Sequence, residues 1–170
     1  MRDLSRENGI RVNARRWSEV SAWCALVLVG GQLIKRWVVE GLGEGKSTEL
    51  LGSIVRLSYV TNRGGAFGLL SGMGGVMLIV SVLVLGLLVF LAWRLPLGES
   101  GWLRAAYGWV LGGALSNVAD RLLRGHVVDY VSLEYGKRQL WPAFNLGDAG
   151  ITVGLIVMLL MHAAQPKERE

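Results

Sequence analysis

Three polar islands interrupt an otherwise apolar chain. They read Thr61-Asn62-Arg63-Gly64-Gly65-Ala66-Phe67, then Asn117-Val118-Ala119-Asp120-Arg121 running on to Val127-Val128-Asp129-Tyr130, and Phe144-Asn145-Leu146-Gly147-Asp148. Each adjoins a long hydrophobic run. Ionisable groups at membrane depth are costly and are usually retained for a task. The second and third islands carry Asp129 and Asp148. Two carboxylates held together can share one proton, and such a pair can activate water to split an amide. Asn62, Asn117, Asp120 and Asn145 are the polar groups that can face the same boundary as this pair.

Each of these residues also has a purely structural explanation. Asn117 and Arg121 are four apart, as are Asp120 and Arg124, which is the spacing of an ion pair closing a helix end. Asn145 is a favoured helix N-cap, and an acid three residues later suits the positive end of the helix. Asp129 follows a turn at Gly125 and reads, alone, as an exposed acid behind a strand. What favours a site is the convergence of all of them on one boundary.

The elements that position them follow from the charge pattern. No charged residue occurs between Arg63 and Arg94, or between Asp148 and Lys167. About 20 apolar residues span a bilayer core, so both stretches qualify as spans. Two weaker stretches join them: residues 20–39, interrupted by Lys35 and Arg36, and residues 102–119, with Arg104 near the start. The reading is a membrane α-helical fold of four transmembrane helices, near 17–39, 70–93, 102–123 and 147–164. Residues 1–16 form a polar tail, 40–63 a loop outside the membrane, and 165–170 a charged tail, all in one domain. The alternating stretches 54–61 and 127–133 favour strand formers, so a small β-rich region lies on the membrane. Small residues four apart at Gly68/Gly72, Gly108/Gly112 and Gly150/Gly154 suit close helix contacts in lipid.

Composition narrows the function. The net charge of +5 resides in basic residues flanking apolar spans, where anionic headgroups lie, so nucleic acid is not expected as a partner. Cys24 is the single cysteine and lies inside a span. No disulfide, Cys/His metal cluster or thiol nucleophile is therefore expected. Neither His126 nor His162 completes a Ser/His/Asp arrangement. No cleavage site follows the first apolar run, so it reads as an uncleaved helix. Four spans place both chain ends on one side and the islands on the other. The positive-inside rule does not choose between the sides, since nine of the 18 Lys and Arg residues fall on each.

With these islands in order, the chain resembles the bacterial lipoprotein signal peptidases (signal peptidase II). The resemblance covers most of residues 24–160. Its motifs are Gln32-Leu33-Ile34-Lys35, Asn62 to Phe67, Gly112 to Arg121, Val127 to Tyr130, and Trp141-Pro142-Ala143-Phe144-Asn145 to Asp148. It implies a four-helix aspartic endopeptidase of the inner membrane, with cytoplasmic termini and a periplasmic active site. It implies Asp129 and Asp148 as the catalytic pair, with Asn62, Asn117, Asp120, Arg121 and Asn145 in support, and no metal or cofactor. The implied partners are a prolipoprotein carrying a diacylglyceryl-modified cysteine and membrane phospholipid, with the enzyme a monomer. The family usually has Asp where this chain has Gly31, Ala where Gly65 and Gly147 stand, and often Ser at Ala149. The first departure removes an expected contact near the end of the first helix, and the others bear on inhibitor or substrate preference. Two alternatives remain. One is a paralogue of reduced activity that binds inhibitor or lipoprotein, and the other a small proton-coupled transporter, which would want its acids within the spans. For residues 40–63 the glycines at 41, 43 and 45 suggest a mobile lid over the aspartates; a fixed amphipathic platform is the competing expectation.

Overall fold

The structure is a computed structural model that describes residues 2–64, 74–94, 100–136 and 138–164. Four helices and a four-stranded sheet alternate in the order α1 (Arg2–Gly41), β1 (Ser47–Leu51), β2 (Val55–Asn62), α2 (Gly74–Arg94), α3 (Gly101–Arg124), β3 (Val127–Tyr135), β4 (Arg138–Phe144) and α4 (Leu146–Ala163).

Helix α3 is the centre of the bundle and packs against α1, α4 and α2. From residue 103 to 121 it has no exposed residue. Its neighbours are protein rather than lipid, so its inward faces are built of Gly, Ala, Ser and Asn. Helix α2 is the opposite case, peripheral and apolar on nearly all sides, with Ile79, Leu83, Leu87 and Phe90 exposed. Among the described residues, Asn13–Gly41, Gly75–Arg94 and Leu146–Ala163 are long and apolar enough to cross a membrane. Helix α3 is not among them. The hydropathy argument for four spans thus holds for three, because a helix enclosed by protein need not be hydrophobic all round.

The small residues allow the helices to touch. A Cβ on Gly108 would lie 2.4 Å from Trp23 Cβ, and one on Gly112 2.5 Å from the Cys24 carbonyl oxygen. These are α1–α3 contacts. One on Gly154 would lie 2.8 Å from the Ala106 carbonyl oxygen, an α3–α4 contact. Gly68 and Gly72 lie outside the described residues.

The sheet is antiparallel in the order β1-β2-β3-β4. Strands β2 and β3 match the two alternating stretches. Residues 40–63 are thus largely a hairpin joined edge-on to β3, with Val60 opposite Asp129 and Asn62 opposite Val127. Its base is tied by Gly45 N–H to the Tyr59 carbonyl and by Thr61 Oγ1 to Glu44. This resting geometry is that of a platform; motion of the hairpin is a separate matter. Val38, Leu57 and Tyr130 form the small core that seats the sheet on the ends of α1 and α4.

Residues 2–16 are the helical N-terminal part of α1; they contain no proline and are mostly helix-tolerant residues. One element departs from the sequence reading. Strand β4 was obscured by Pro142, which breaks central strands but is accommodated here on an edge strand.

Candidate active site

Asp129 is on β3 and is buried, with 2% of its surface exposed. Pairing of Asn62 with Val127 puts Asn62 diagonal to Asp129, on the same face of the sheet. The Asn62 amide donates to Asp129 Oδ2 at 2.9 Å, and the Asn145 amide to Oδ1 at 2.6 Å. Asp148 is in the first turn of α4. The Asn117 amide donates to its Oδ1 at 2.8 Å, and the Asn145 backbone N–H to its Oδ2 at 3.1 Å. All four carboxylate oxygens therefore accept a hydrogen bond from a positioned N–H.

The direction of each asparagine amide is fixed from behind. Asn145 Oδ1 accepts the N–H groups of Gly147 and Asp148, at 2.7 and 3.2 Å, as the N-cap of α4. Its NH2 must then point at Asp129. Asn62 Oδ1 accepts Gly64 N–H at 3.2 Å, and Asn117 Oδ1 accepts Lys35 Nζ at 2.9 Å. The capping role and the functional role of Asn145 and Asp148 are thus one arrangement: the capping box is what aims the donors. Tyr130 adds to the same helix start, its hydroxyl accepting the Leu146 N–H at 2.9 Å.

Burial and the neighbouring charge of Asp148 raise the Asp129 carboxyl to about 6, against the opposing effect of its two amide donors. Burial is the larger cause and the neighbouring acid the second; both disfavour the ionised form. The two aspartates and Asn62 line a cleft of about 270 Å³ together with Trp141, Pro142, Phe144 and Ile151. No group of His, Cys, Asp and Glu among the described residues is placed to hold a metal ion.

The seven residues expected from the sequence divide into two groups. Asp129, Asp148, Asn62, Asn117 and Asn145 meet. Asp120 does not touch the pair. It is fully buried, 2.8 Å from Lys35 Nζ, ion-paired with Arg124, and accepts the Val128 N–H at 3.0 Å. Arg121 Nη1 turns back to the Asn117 carbonyl at 3.2 Å. Lys35, an interruption of the first span and the last residue of the Gln32-Leu33-Ile34-Lys35 motif, was given no role at the site by the sequence. The signal was there: a lysine inside an apolar helix, three residues after Gln32 and so on the same face.

The transporter alternative required carboxylates within the spans. Asp129 lies on a strand and Asp148 in the first turn of α4, at the end of a span rather than in its middle.

Residues 23–164 match the family model described as signal peptidase (SPase) II. The chain belongs to the signal peptidase II family. It is 36% identical over 154 residues to the lipoprotein signal peptidase of Vibrio vulnificus, covering 87% of this chain and 90% of that one. It is 38% identical over 143 residues to that of Moorella thermoacetica, covering 82% and 91%. Among solved structures it resembles a bacterial membrane enzyme, with a TM-score of 0.75, 27% identity, and 89% and 93% of the two chains covered.

The departures from this family's usual residues can be placed. Gly147 is backed against α3, and a Cβ there would lie 2.9 Å from the Gly113 carbonyl oxygen and 3.2 Å from Asn117 Oδ1. Gly31 faces Ser116, with only 3.0 Å from a Cβ to its hydroxyl oxygen. The buried Asp120 has Lys35, Gln32 and Arg124 as partners without an acid at position 31. Gly65 lies outside the described residues.

Proposed function

We propose that this signal peptidase II family member is an aspartic endopeptidase that removes the signal peptide from membrane prolipoproteins bearing a diacylglyceryl-modified cysteine. The observation that carries the aspartic reading is the Asp129–Asp148 pair, lining an apolar-walled cleft with every carboxylate oxygen held by an N–H donor. The substrate class rests on the name its relatives carry, lipoprotein signal peptidase.

In this reading the pair shares one proton. Asp129, raised to about 6, is the partner suited to hold it. Asp148 stands at the positive end of α4, where negative charge is favoured. A water between them gives a proton to Asp148 as its oxygen attacks the scissile carbonyl carbon. Asp129 gives its proton to the carbonyl oxygen. Collapse of the tetrahedral intermediate returns the hydroxyl proton to Asp129, and the proton on Asp148 passes to the leaving amide nitrogen. Each carboxylate oxygen keeps a second lone pair for this traffic beyond the one engaged by its asparagine or backbone donor.

All four helices cross the inner membrane, α3 shielded by the other three, with the chain ends cytoplasmic and the sheet and site periplasmic. The acylated substrate enters from lipid toward the Trp141 and Ile151 wall. The test is cleavage of a diacylglyceryl-modified precursor by the purified protein in phospholipid, with and without chelator. Cleavage before the modified cysteine in both cases, and its loss in Asp129→Asn and Asp148→Asn variants that still fold, is the expected outcome. Turnover by either variant would refute the pair, and absence of cleavage by the unaltered protein would favour a binding paralogue.

A further inference from the structure

Lys35 is fully buried in α1, and its three N–H donors have three acceptors: Asp120 Oδ2 at 2.8 Å, Asn117 Oδ1 at 2.9 Å and Ser116 Oγ at 3.3 Å. The simplest role for such a lysine is to neutralise Asp120. That role is already filled. Arg124 is ion-paired with Asp120, and Gln32 Nε2 and Val128 N–H also donate to it, at 3.1 and 3.0 Å. Gln32 is itself held, its Oε1 accepting Arg124 Nη1 at 3.2 Å. A buried ammonium is expensive, and an apolar residue of similar volume often serves a fold as well or better. Among the described residues, Lys35 alone supplies a donor to Asn117 Oδ1.

That contact decides which end of the Asn117 amide faces the catalytic pair. With Oδ1 taken by Lys35, the NH2 group is presented to Asp148 Oδ1 at 2.8 Å. With Oδ1 free, the amide can rotate and turn an acceptor toward a carboxylate, which would repel it. The Asn145 and Asn62 amides are fixed by backbone N–H groups; for Asn117 the fixing group is a side chain from another helix.

We propose that Lys35 is a positioning residue of the hydrolysis: through Asn117 it orients and polarises the donor that holds Asp148 in its reactive geometry. The proposal rests on the aspartic reading above.

The test uses the full-length enzyme in phospholipid with a diacylglyceryl-modified precursor. Lys35→Met and Lys35→Gln are each made together with Asp120→Asn, so that one buried charge of each sign is removed and the net charge of the cluster is unchanged, and Asp120→Asn alone is the reference. Loss of positioning should lower kcat of the Lys35→Met pair about 10²-fold, the scale for a misplaced catalytic group. KM should stay within about twofold, and the acid limb of the pH profile should move upward. Lys35→Gln restores an N–H donor without the charge and should recover at least about tenfold of that loss. In an Asn117→Ala background, Lys35→Met should lower kcat no further, because the relay is already broken. Equal rates for the Met and Gln variants, an independent further loss on Asn117→Ala, or collapse of folded yield in every Lys35 variant would overturn the proposal in favour of a role in folding alone. Asp148→Asn is the control that separates the two readings. Turnover there would remove the catalytic pair itself. An inactive Asp148→Asn beside a fully active Lys35→Met would remove only the positioning role.

Discussion

Asp129→Asn should make the protein more stable relative to wild type as the pH rises. The carboxyl is 2% exposed and raised to about 6 from an ordinary 3.8. A group whose native pKa lies above its unfolded value binds its proton more tightly when folded. Its ionised form therefore destabilises the fold. That penalty is absent below pH 3.8, grows between 3.8 and 6, and is complete above 6. At 1.36 kcal/mol per pH unit, the full penalty is about 3 kcal/mol. Roughly 2 kcal/mol of it develops between pH 4 and pH 7.5. The asparagine variant has no such dependence. It carries instead a constant cost, because Asn145 cannot rotate away from its capping bonds and one of the two donors now faces another NH2. The absolute stability change can take either sign, but the change with pH cannot. Thermal unfolding in phospholipid micelles, followed by tryptophan fluorescence, should show the Tm of Asp129→Asn minus that of wild type rising by about 4–8 °C from pH 4 to pH 7.5. Because Asp148's charge is the second cause of the shift, the same comparison in an Asp148→Asn background should show a smaller rise. A Tm difference that does not change with pH would refute the reasoning.

Further outcomes follow from the same geometry. kcat/KM, which reports the free enzyme, should fall as pH rises above about 6, where Asp129 loses the proton it must donate; a flat profile to pH 8 would contradict that assignment. Asn145→Ala should lose about 1 kcal/mol of cap energy along with activity, whereas Asn145→Asp keeps the cap but sets a third carboxylate against Asp129, so unfolding and cleavage assays should separate the two. Gly113→Ala would push a methyl to within 2.3 Å of the Gly147 carbonyl oxygen; a loss of about 1–3 kcal/mol and displacement of Asp148 are expected, while Gly86→Ala, with open space around it, should leave cleavage unchanged. Tyr130→Phe removes the acceptor of the Leu146 N–H and should lower stability by about 1 kcal/mol in the same unfolding assay.

The sequence alone determined the helices and two of the strands. Uninterrupted apolar runs fix α2 and α4, because lipid accepts little else, and alternating strand formers mark β2 and β3. It also brought both aspartates and the three asparagines to one boundary, while their roles as a pair and its supports came from the family resemblance. Other features were decided only in three dimensions. Helix α3 owes its mixed composition to being enclosed by protein, which hydropathy alone does not detect. Strand β4 exists because its proline falls on an edge. Asn145 could be read as a cap or as a site residue; the folded chain shows that the cap aims the amide at Asp129. Lys35 looked like a flaw in a span. Its meaning depends on Asn117 and Asp120, more than 80 residues away in the chain. Hydrogen-bond direction is a property of both partners together, so no local pattern around Lys35 encodes which way the Asn117 amide turns.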